Sequence, residues 1–572
     1  MLFSVSLCSW PSLSSSAVLL LLPLLLLAAS RQLWSFRWSL TRDRASSLPL
    51  PQGSMGWPLV GETFSWLLQG PDFHVSRRRR HGNVFKTHLL GRPLVRVTGA
   101  HNLRKILLGE HSLVCTQWPQ STRILLGPGT LVNASGGGHR GKRKLLAKAF
   151  SRGALNSYLP RLQEEVRAEV SRWCLHPGPV EVYAAAKTLT FRIAASVLLG
   201  LRLDEERTAH LARTFETLMD NLFSLPLDTP LSGLRKGIRA REVLHLHMEK
   251  IIQEKLAGCR SEGVLDAFDY MLSSAQDQGQ SLSPQELKEM AVELIFAAHS
   301  TTASASTSLI LQLLRHPAVV EQARAELHAH GLGSRCPAAQ TPGTQDRLDL
   351  DRTLDQTPDR DQAQDKDQTL ERTPDQTPDR DQAQDKDQTL ERTPDQTPDR
   401  DQAKDKDQTP DRDQAWGAVP YLTMERLGRL QYLDCVVKEV LRILPPVSGG
   451  YRTALQTFEL DGYQIPKGWS VMYSIRDTHE TAVAFQSPEV FDPARFGRTR
   501  DESKADRFSY VPFGGGVRRC VGQELARAVL KTLALELLSS ATWSLASDAF
   551  PRMQTVPIVH PVNGLHVRFQ SL

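Results

Sequence analysis

Near its C-terminal end the chain reads FGGGVRRCVG, Phe513 to Gly522, followed by QELARAVLKTLALELL with the apolar spacing of a helix. These residues restrict the fold more than any other stretch. Three consecutive glycines let the backbone turn tightly and approach something flat and bulky, because no Cβ intervenes. Cys520 then sits where the helix begins. A thiolate there accepts backbone hydrogen bonds and gains from the positive end of the helix, so it stays anionic and can ligate a metal. Arg518 and Arg519 add positive charge beside it. A lone cysteine after a glycine turn is by default structural. The spacing F-x-x-G-x-R-x-C-x-G, carried by Phe513, Gly516, Arg518, Cys520 and Gly522, sets this one apart.

The other cysteines fit neither a disulfide framework nor a zinc site. All seven (Cys8, Cys115, Cys174, Cys259, Cys336, Cys435, Cys520) lack CxxC spacing and their number is odd. The folded part therefore reads as belonging to a reducing compartment, the cytosol. The net charge of +6 conceals an asymmetry. Residues 353–412 hold 18 acidic and 10 basic side chains, which leaves the rest of the chain at about +14. Such a surplus suits an anionic membrane face or an acidic protein partner. No nucleic-acid-binding motif accompanies it, so nucleic acid is not expected as a partner.

At the other end, residues 1–30 carry no charge, and AVLLLLPLLLLAA (Ala17 to Ala29) is long enough, with its flanks, to span a bilayer. Pro23 is tolerated inside a membrane helix. Arg31, Arg37, Arg42 and Arg44 follow the apolar run and nothing positive precedes it, which places the remainder of the chain on the cytosolic side. The alternative, a cleaved secretory signal, wants a basic stretch in front and a small-x-small exit. Residues 1–46 are thus assigned as a membrane anchor with a basic flank. Prolines 49, 51 and 58 make Leu48 to Glu62 a stiff spacer that is neither helix nor central strand.

Residues 353–412 are three tandem units of 20, starting at Thr353, Thr373 and Thr393. The units lack aromatics and nearly all aliphatic side chains, so stacking them would bury nothing. Disorder is expected for the low-complexity insertion 337–418. No unit has the ligand spacing of a calcium loop. The flanking segments His316–His330 and Leu422–Leu444 both have helical apolar spacing, so the insertion interrupts a helix-to-helix connection inside one domain, 47–572. Long surface insertions cost little closure entropy.

Three further segments carry chemistry. Glu439 and Arg442 lie one helical turn apart and share a face, and Arg495 follows in DPARF. AAHSTT, Ala297 to Thr302, lies in a helical stretch, where Ser300 and Thr301 supply hydroxyls and the simpler reading is bonding back to carbonyls one turn earlier. GGGHRGKRK, Gly136 to Lys144, has the G-x4-G-K spacing of a phosphate loop, but Arg143 occupies the Ser/Thr position and no strand precedes it.

Taken in order, these segments resemble the cytochrome P450 family. The resemblance implies a mostly α fold with a smaller β region, and heme b held between the AAHSTT helix and the Cys520 loop with Cys520 as iron ligand. It implies a buried structural triad of Glu439, Arg442 and Arg495. Thr301 matches the family's proton-delivering threonine; Ala298 and Ser300 depart from its usual glycine and acid, which leaves the proton route to Thr301, Ser300 and ordered water. His139 and Arg143 match a W-x-x-x-R pair that contacts a heme propionate, with His for Trp, and His139 can still donate. Lys142, Lys144 and Lys148 then form either a landing face for an acidic electron donor or an ordinary solvated helix face. The implied electron source is NADPH, through an NADPH-cytochrome P450 reductase.

Long collinear strings narrow the resemblance to the retinoic-acid hydroxylase branch, family 26, nearest its C subfamily: RDRASSLPLPQGSMGWP, KTHLLGRPLVRV, NLFSLPLD, LPPVSGGYRTALQTFELDGYQIPKGWSVMYSIRDTH and QTVPIVHPV. The implied substrate is retinoic acid, all-trans or 9-cis, hydroxylated chiefly at ring carbon 4, in an endoplasmic reticulum membrane with the catalytic domain facing the cytosol. By matching positions, Trp118, Phe223, Phe296, Val447, Ser448, Gly449, Thr555 and Val556 line an elongated apolar cavity. Arg92 and Arg96 are candidate partners of the substrate carboxylate, with ordinary strand-edge arginines as the simpler reading. Two alternatives remain: hydroxylation of another lipid such as a fatty acid or sterol, and a heme-containing retinoid-binding protein with little turnover.

Overall fold

The computed structural model describes residues 11–201, 203–256, 265–333 and 422–572. The readings made on Cys8, Cys259, Cys336 and the insertion at 337–418 fall outside them. The described residues belong to one compact unit. The described part is mostly helical with a smaller β region.

Two helices run through the core. The first, Pro284–Arg315, starts at a capping box in which the Ser283 side chain accepts from the Glu286 N–H and Glu286 returns the bond, with Pro284 at the first turn. It is long and apolar enough to cross a membrane, yet 78% of its most apolar window is buried inside the protein. That is the placement of a core helix. The second, Gln523–Ser540, follows Cys520 and is buried from Ala528 to Ser539. The two pack on each other, and the second packs on Arg152–Leu175.

A five-stranded sheet supports one side. Its order is Val84–Leu89, Arg92–Val97, Ser470–Ser474, Gly449–Ala454, Val114–Thr116. Only the pairing of Arg92–Val97 with Ser470–Ser474 is parallel. Arg96 lies opposite both Phe85 and Met472, and Met472 lies opposite Tyr451, so these side chains share a face.

The helix Pro11–Ser39 contains Pro23 without ending there. Leu21, Leu22 and Leu24 to Leu27 are 48–65% exposed. Further along, Trp34 is buried, its Nε1 donates to the Met55 carbonyl at 3.1 Å, and its ring meets His88 edge-on at 5.2 Å. Trp38 meets Trp469 at 6.3 Å. Packing against the sheet therefore begins inside the basic flank, ahead of residue 47. The proline-rich stretch has no helix, but it is pinned to the sheet: the Lys86 N–H donates to Gln52 O at 2.8 Å, and a Cβ on Gly53 would stand 2.0 Å from Lys86 O.

Beyond the insertion, the apolar pattern of Leu422–Leu444 forms two helices, Met424–Arg429 and Gln431–Ile443, and not one. Periodicity does not reveal the break at Leu430. The Glu326 carboxylate causes it by accepting from the N–H groups of Tyr432 and Leu433 at 2.7 and 2.9 Å, which caps a new helix start from a distant element.

Candidate functional site

The Glu439, Arg442 and Arg495 side chains meet in the interior, each no more than 1% exposed. Arg442 donates to Glu439 through Nε at 2.7 Å and Nη2 at 2.8 Å, and Arg495 Nε donates to the same carboxylate at 3.2 Å. Backbone carbonyls of Ser487 and Val490 accept from the Arg495 fork, and Glu502 pairs with it at 3.0 Å. Burying three charges is tolerable only because every ion finds partners of this quality. Behind them, His479 Nδ1 donates to Arg442 O at 3.0 Å while its Nε2 accepts the Val511 N–H at 3.0 Å. Those two bonds fix the tautomer. No local sequence pattern marks His479, which ties the triad to the loop two residues before Phe513.

The Phe513–Gly522 loop closes on itself through the Cys520 N–H, which donates to Phe513 O at 2.9 Å. Gly516 has φ +63°, and a Cβ there would lie 2.0 Å from Leu107 O, so only glycine permits the approach to helix Ala100–Leu108. Cys520 precedes its helix by three residues, and the Gly522 N–H bonds the sulfur. Cys520 is exposed, with protein atoms crowding its other sides. Burial pushes its pKa up, opposed by the Gly522 N–H and by Arg143 and Arg519. Phe513 is half-buried under the Arg527 guanidinium, 5.2 Å from the ring centre.

His139 and Arg143 lie in helix Gly136–Ala149. His139 is buried, its Nδ1 has no partner, and burial together with Arg518, His111 and Arg143 lowers its pKa to about 4. It is neutral at physiological pH. His111 stands 5.5 Å from it with an equally unpartnered Nε2. Arg143 and Arg519 have no hydrogen-bond or ion-pair partner among the described residues, and Arg143 feels Cys520, Arg518 and Arg519. A thiol amid three guanidiniums and two unpartnered imidazole nitrogens fits a planar prosthetic group that offers a metal centre and carboxylates. The lysines of the same helix fit a landing face less well: Lys142 pairs with Glu286 at 3.0 Å and Lys148 with Asp277 at 2.7 Å, and Lys144 has no ion pair among the described residues.

Sequence reading missed Glu110. Its side chain is 1% exposed, and the carboxylate accepts from Arg518 Nε at 2.6 Å, stands 2.8 Å from Arg452 Nε, and receives the Thr116 N–H and hydroxyl at 3.0 and 2.9 Å. The two arginines and Thr116 outweigh burial, so its pKa falls. Nothing in the local sequence marks it as an ion-pair centre, since its two arginine partners are more than 300 residues away.

In the long helix, buried almost throughout, Phe296, Ala297, Ala298 and Thr301 form the accessible window. The Thr301 hydroxyl donates to Ala297 O at 2.8 Å, the back-bond of the simpler reading. Ser300 is buried and lies 3.0 Å from His299 Nδ1, turned away from the role with Thr301 expected from the sequence. A hydrogen-bonded frame joins the remaining cavity candidates. Ser448 donates to Thr555 O at 2.8 Å, tying Val447–Gly449 to Thr555–Val556. The Gln117 N–H, next to Trp118, donates to Tyr451 O at 3.3 Å. Ser121 and Thr122 donate to Leu222 O, beside Phe223, at 2.9 and 2.6 Å. Trp118, Phe296, Val447, Ser448 and Gly449 are half-buried and Thr555 is buried. Phe223 and Val556, by contrast, are 54% and 46% exposed. Arg96 is occupied: its Nη2 donates to Asp477 at 2.7 Å, while Nε and Nη1 lack partners.

The family model described as cytochrome P450 matches residues 51–343 and 410–567. Human cytochrome P450 26C1 is 55% identical over 98% of this chain and 96% of its own length. Human cytochrome P450 26B1 is 47% identical over 98% of this chain and 94% of its own length. Among solved structures, retinoic acid-bound cyanobacterial CYP120A1 aligns with a TM-score of 0.70 at 31% identity, covering 92% of this chain and all of that one.

Proposed function

The chain belongs to the cytochrome P450 family, and from that premise we propose that it is a retinoic acid hydroxylase acting mainly at ring carbon 4. One observation carries the reading. Phe296–Ala298 and Thr301 are the accessible residues in the interior of the long helix, and Cys520 in its loop is exposed, the two places where the family's chemistry needs access. The identity to the 26C1 and 26B1 proteins, and the fold shared with a P450 that holds retinoic acid, supply the substrate class.

Cys520 would hold the heme iron as thiolate, and Arg518, Arg143 and His139 would hold its carboxylates. When bound, the heme supplies oxygen activation and transfer of one oxygen atom to carbon, with NADPH electrons delivered by a partner reductase. The protein's own part is positioning and proton control. Thr301 holds its hydroxyl hydrogen on Ala297 O, so its oxygen presents lone pairs to the accessible side. Phe296, Trp118 and the Val447–Gly449 and Thr555–Val556 segments exclude water around an apolar substrate. The exposed leucines of Pro11–Ser39 support insertion in the endoplasmic reticulum membrane, and the arginines after them support a cytosolic catalytic domain.

The test uses membranes containing the full chain, its reductase, NADPH and retinoic acid. NADPH-dependent 4-hydroxylated retinoid is expected. An intact thiolate-heme spectrum without hydroxylated retinoid would sink the reading, and products from a fatty acid or sterol alone would replace the substrate.

A further inference from the structure

We propose that Glu293 is a positioning residue: through the loop 127–135 it holds Arg518, and the helix of His139 and Arg143, in place for the heme carboxylates. The inference rests on the P450 reading above and deepens it at a carboxylate of the long helix about two turns before Thr301. Glu293 is 7% exposed, and both of its oxygens accept backbone hydrogens from the loop, Oε2 from the Leu131 N–H at 2.8 Å and Oε1 from the Val132 N–H at 2.7 Å. One turn earlier on the same face, the buried Glu289 accepts the Gly129 N–H at 2.5 Å through Oε2 and Gln285 Nε2 at 2.8 Å through Oε1. Glycine permits this approach. A Cβ on Gly127, at φ +87°, would stand 2.2 Å from Glu289 Cδ, and one on Gly129 would stand 2.6 Å from Glu289 Oε2.

The same loop is held from its other end. Two residues beyond Val132, Ala134 O accepts from Arg518 Nη2 at 2.6 Å, while Arg518 Nε is bonded to Glu110. Helix Gly136–Ala149 starts directly after the loop, and its His139 N–H donates to Ser135 O at 3.2 Å. One short segment therefore joins the long helix to all three side chains assigned to the heme carboxylates. No residue of 127–135 is charged, so the ions on either side grip its backbone, carboxylates on N–H groups and a guanidinium on a carbonyl. The two carboxylates are not equivalent. Gln285 can turn its amide to present oxygen, so a glutamine at 289 still accepts the Gly129 N–H. Leu131 and Val132 cannot turn their N–H groups, so a glutamine at 293 sets its own NH2 against one of them and leaves a buried donor unmet.

The experiment compares E293Q, E293D, E289Q, R518K and the E293Q/R518K double variant as full-length protein in membranes. It is run at pH 8, above the value of about 7 to which burial raises the Glu293 carboxyl, so that both oxygens are acceptors. Three quantities are read: hydrogen–deuterium exchange of peptides spanning 127–135 and 523–540, the heme propionate bending bands in the resonance Raman spectrum, and the rate of heme transfer to an apo-globin trap. E293Q should lose protection at 127–135 and keep it at 523–540, shift the propionate bands, and release heme about fivefold faster. E293D keeps two acceptors one methylene short, so it should show the same pattern at smaller size, and it stands in if E293Q yields no folded protein. E289Q should match the wild type in all three. The double variant should release heme more slowly than the product of the two single effects, because both act through one loop. Wild-type propionate bands and heme release in E293Q overturn the proposal, as do E289Q being equally damaging, multiplicative rates in the double variant, or protection lost equally at 523–540, which marks general destabilisation. A wild type that takes up no heme sinks the P450 reading instead, and exchange at 127–135 in E293Q then decides the loop contact separately.

Discussion

Glu110 Oε1 accepts the Arg518 Nε–H at 2.6 Å while Oε2 faces Arg452 Nε at 2.8 Å, so one buried carboxylate holds an arginine of the cysteine loop to an arginine of the central sheet. Replacing it by glutamine removes a charge-assisted bond of about 1.5–3 kcal/mol and leaves two guanidiniums without their counter-charge. The expected result for Glu110→Gln is faster heme loss, by roughly tenfold or more, measured as transfer to an apo-globin trap. Unchanged retention would mean that Arg518 is held in place by its bond to Ala134 O alone.

Arg442→Lys should be more damaging than its conservative look implies. Lysine cannot reproduce the forked contact with Glu439 or the bond to Val490 O, and a broken buried pair costs about 3–5 kcal/mol. The expected readout is loss of folded, heme-containing protein on expression, seen as absence of the thiolate-heme carbon monoxide spectrum.

Stability should fall as pH drops from about 6.5 to 4. Burial depresses His299 and His479 to about 3 and 4, so the folded state keeps them neutral while the unfolded chain binds their protons below 6.5. Their contribution is complete above 6.5 and is lost as pH falls toward the folded values. At pH 5.5 each withholds about 1.4 kcal/mol. Urea midpoints between pH 8 and 5 test this, and His479→Gln should flatten the dependence. A midpoint that is constant over the range contradicts it.

Trp34→Ala is expected to loosen the junction between the N-terminal helix and the sheet. Removing a buried tryptophan costs about 3–5 kcal/mol and takes with it the bond to Met55 O. Limited proteolysis of membranes should then cut between residues 40 and 60 faster than in the unaltered protein. An unchanged cleavage rate would show that the proline-rich stretch holds the junction without Trp34.

Arg96→Ala separates two roles. The Asp477 pair predicts lower thermal stability whatever the ligand. A carboxylate role predicts weaker retinoic acid binding with retinol binding unchanged, and loss of stability alone leaves Arg96 as a structural residue.

The cysteine loop, the Glu439 and Arg442 pair with Arg495, and the mostly helical fold were legible because each rests on short-range spacing or on collinear strings. A helical turn puts residues 439 and 442 on one face wherever the helix lies. Harder to read was anything that depends on a distant partner. The break at Leu430 comes from Glu326, and the hold on Arg518 comes from Glu110. The exposure of Phe223 and Val556 and the pairing of Lys142 and Lys148 likewise follow from what packs alongside them.

By itself, then, the sequence determined which residues could bind a heme and in what order they occur, since glycine freedom, thiol chemistry and helical periodicity are local properties. Tertiary structure decided which charges are paired and which hydroxyls are turned inward. His299 shows the reason: its neutral ring depends on Phe191, Phe215 and Lys187 from other helices, and burial exists only once those elements have met.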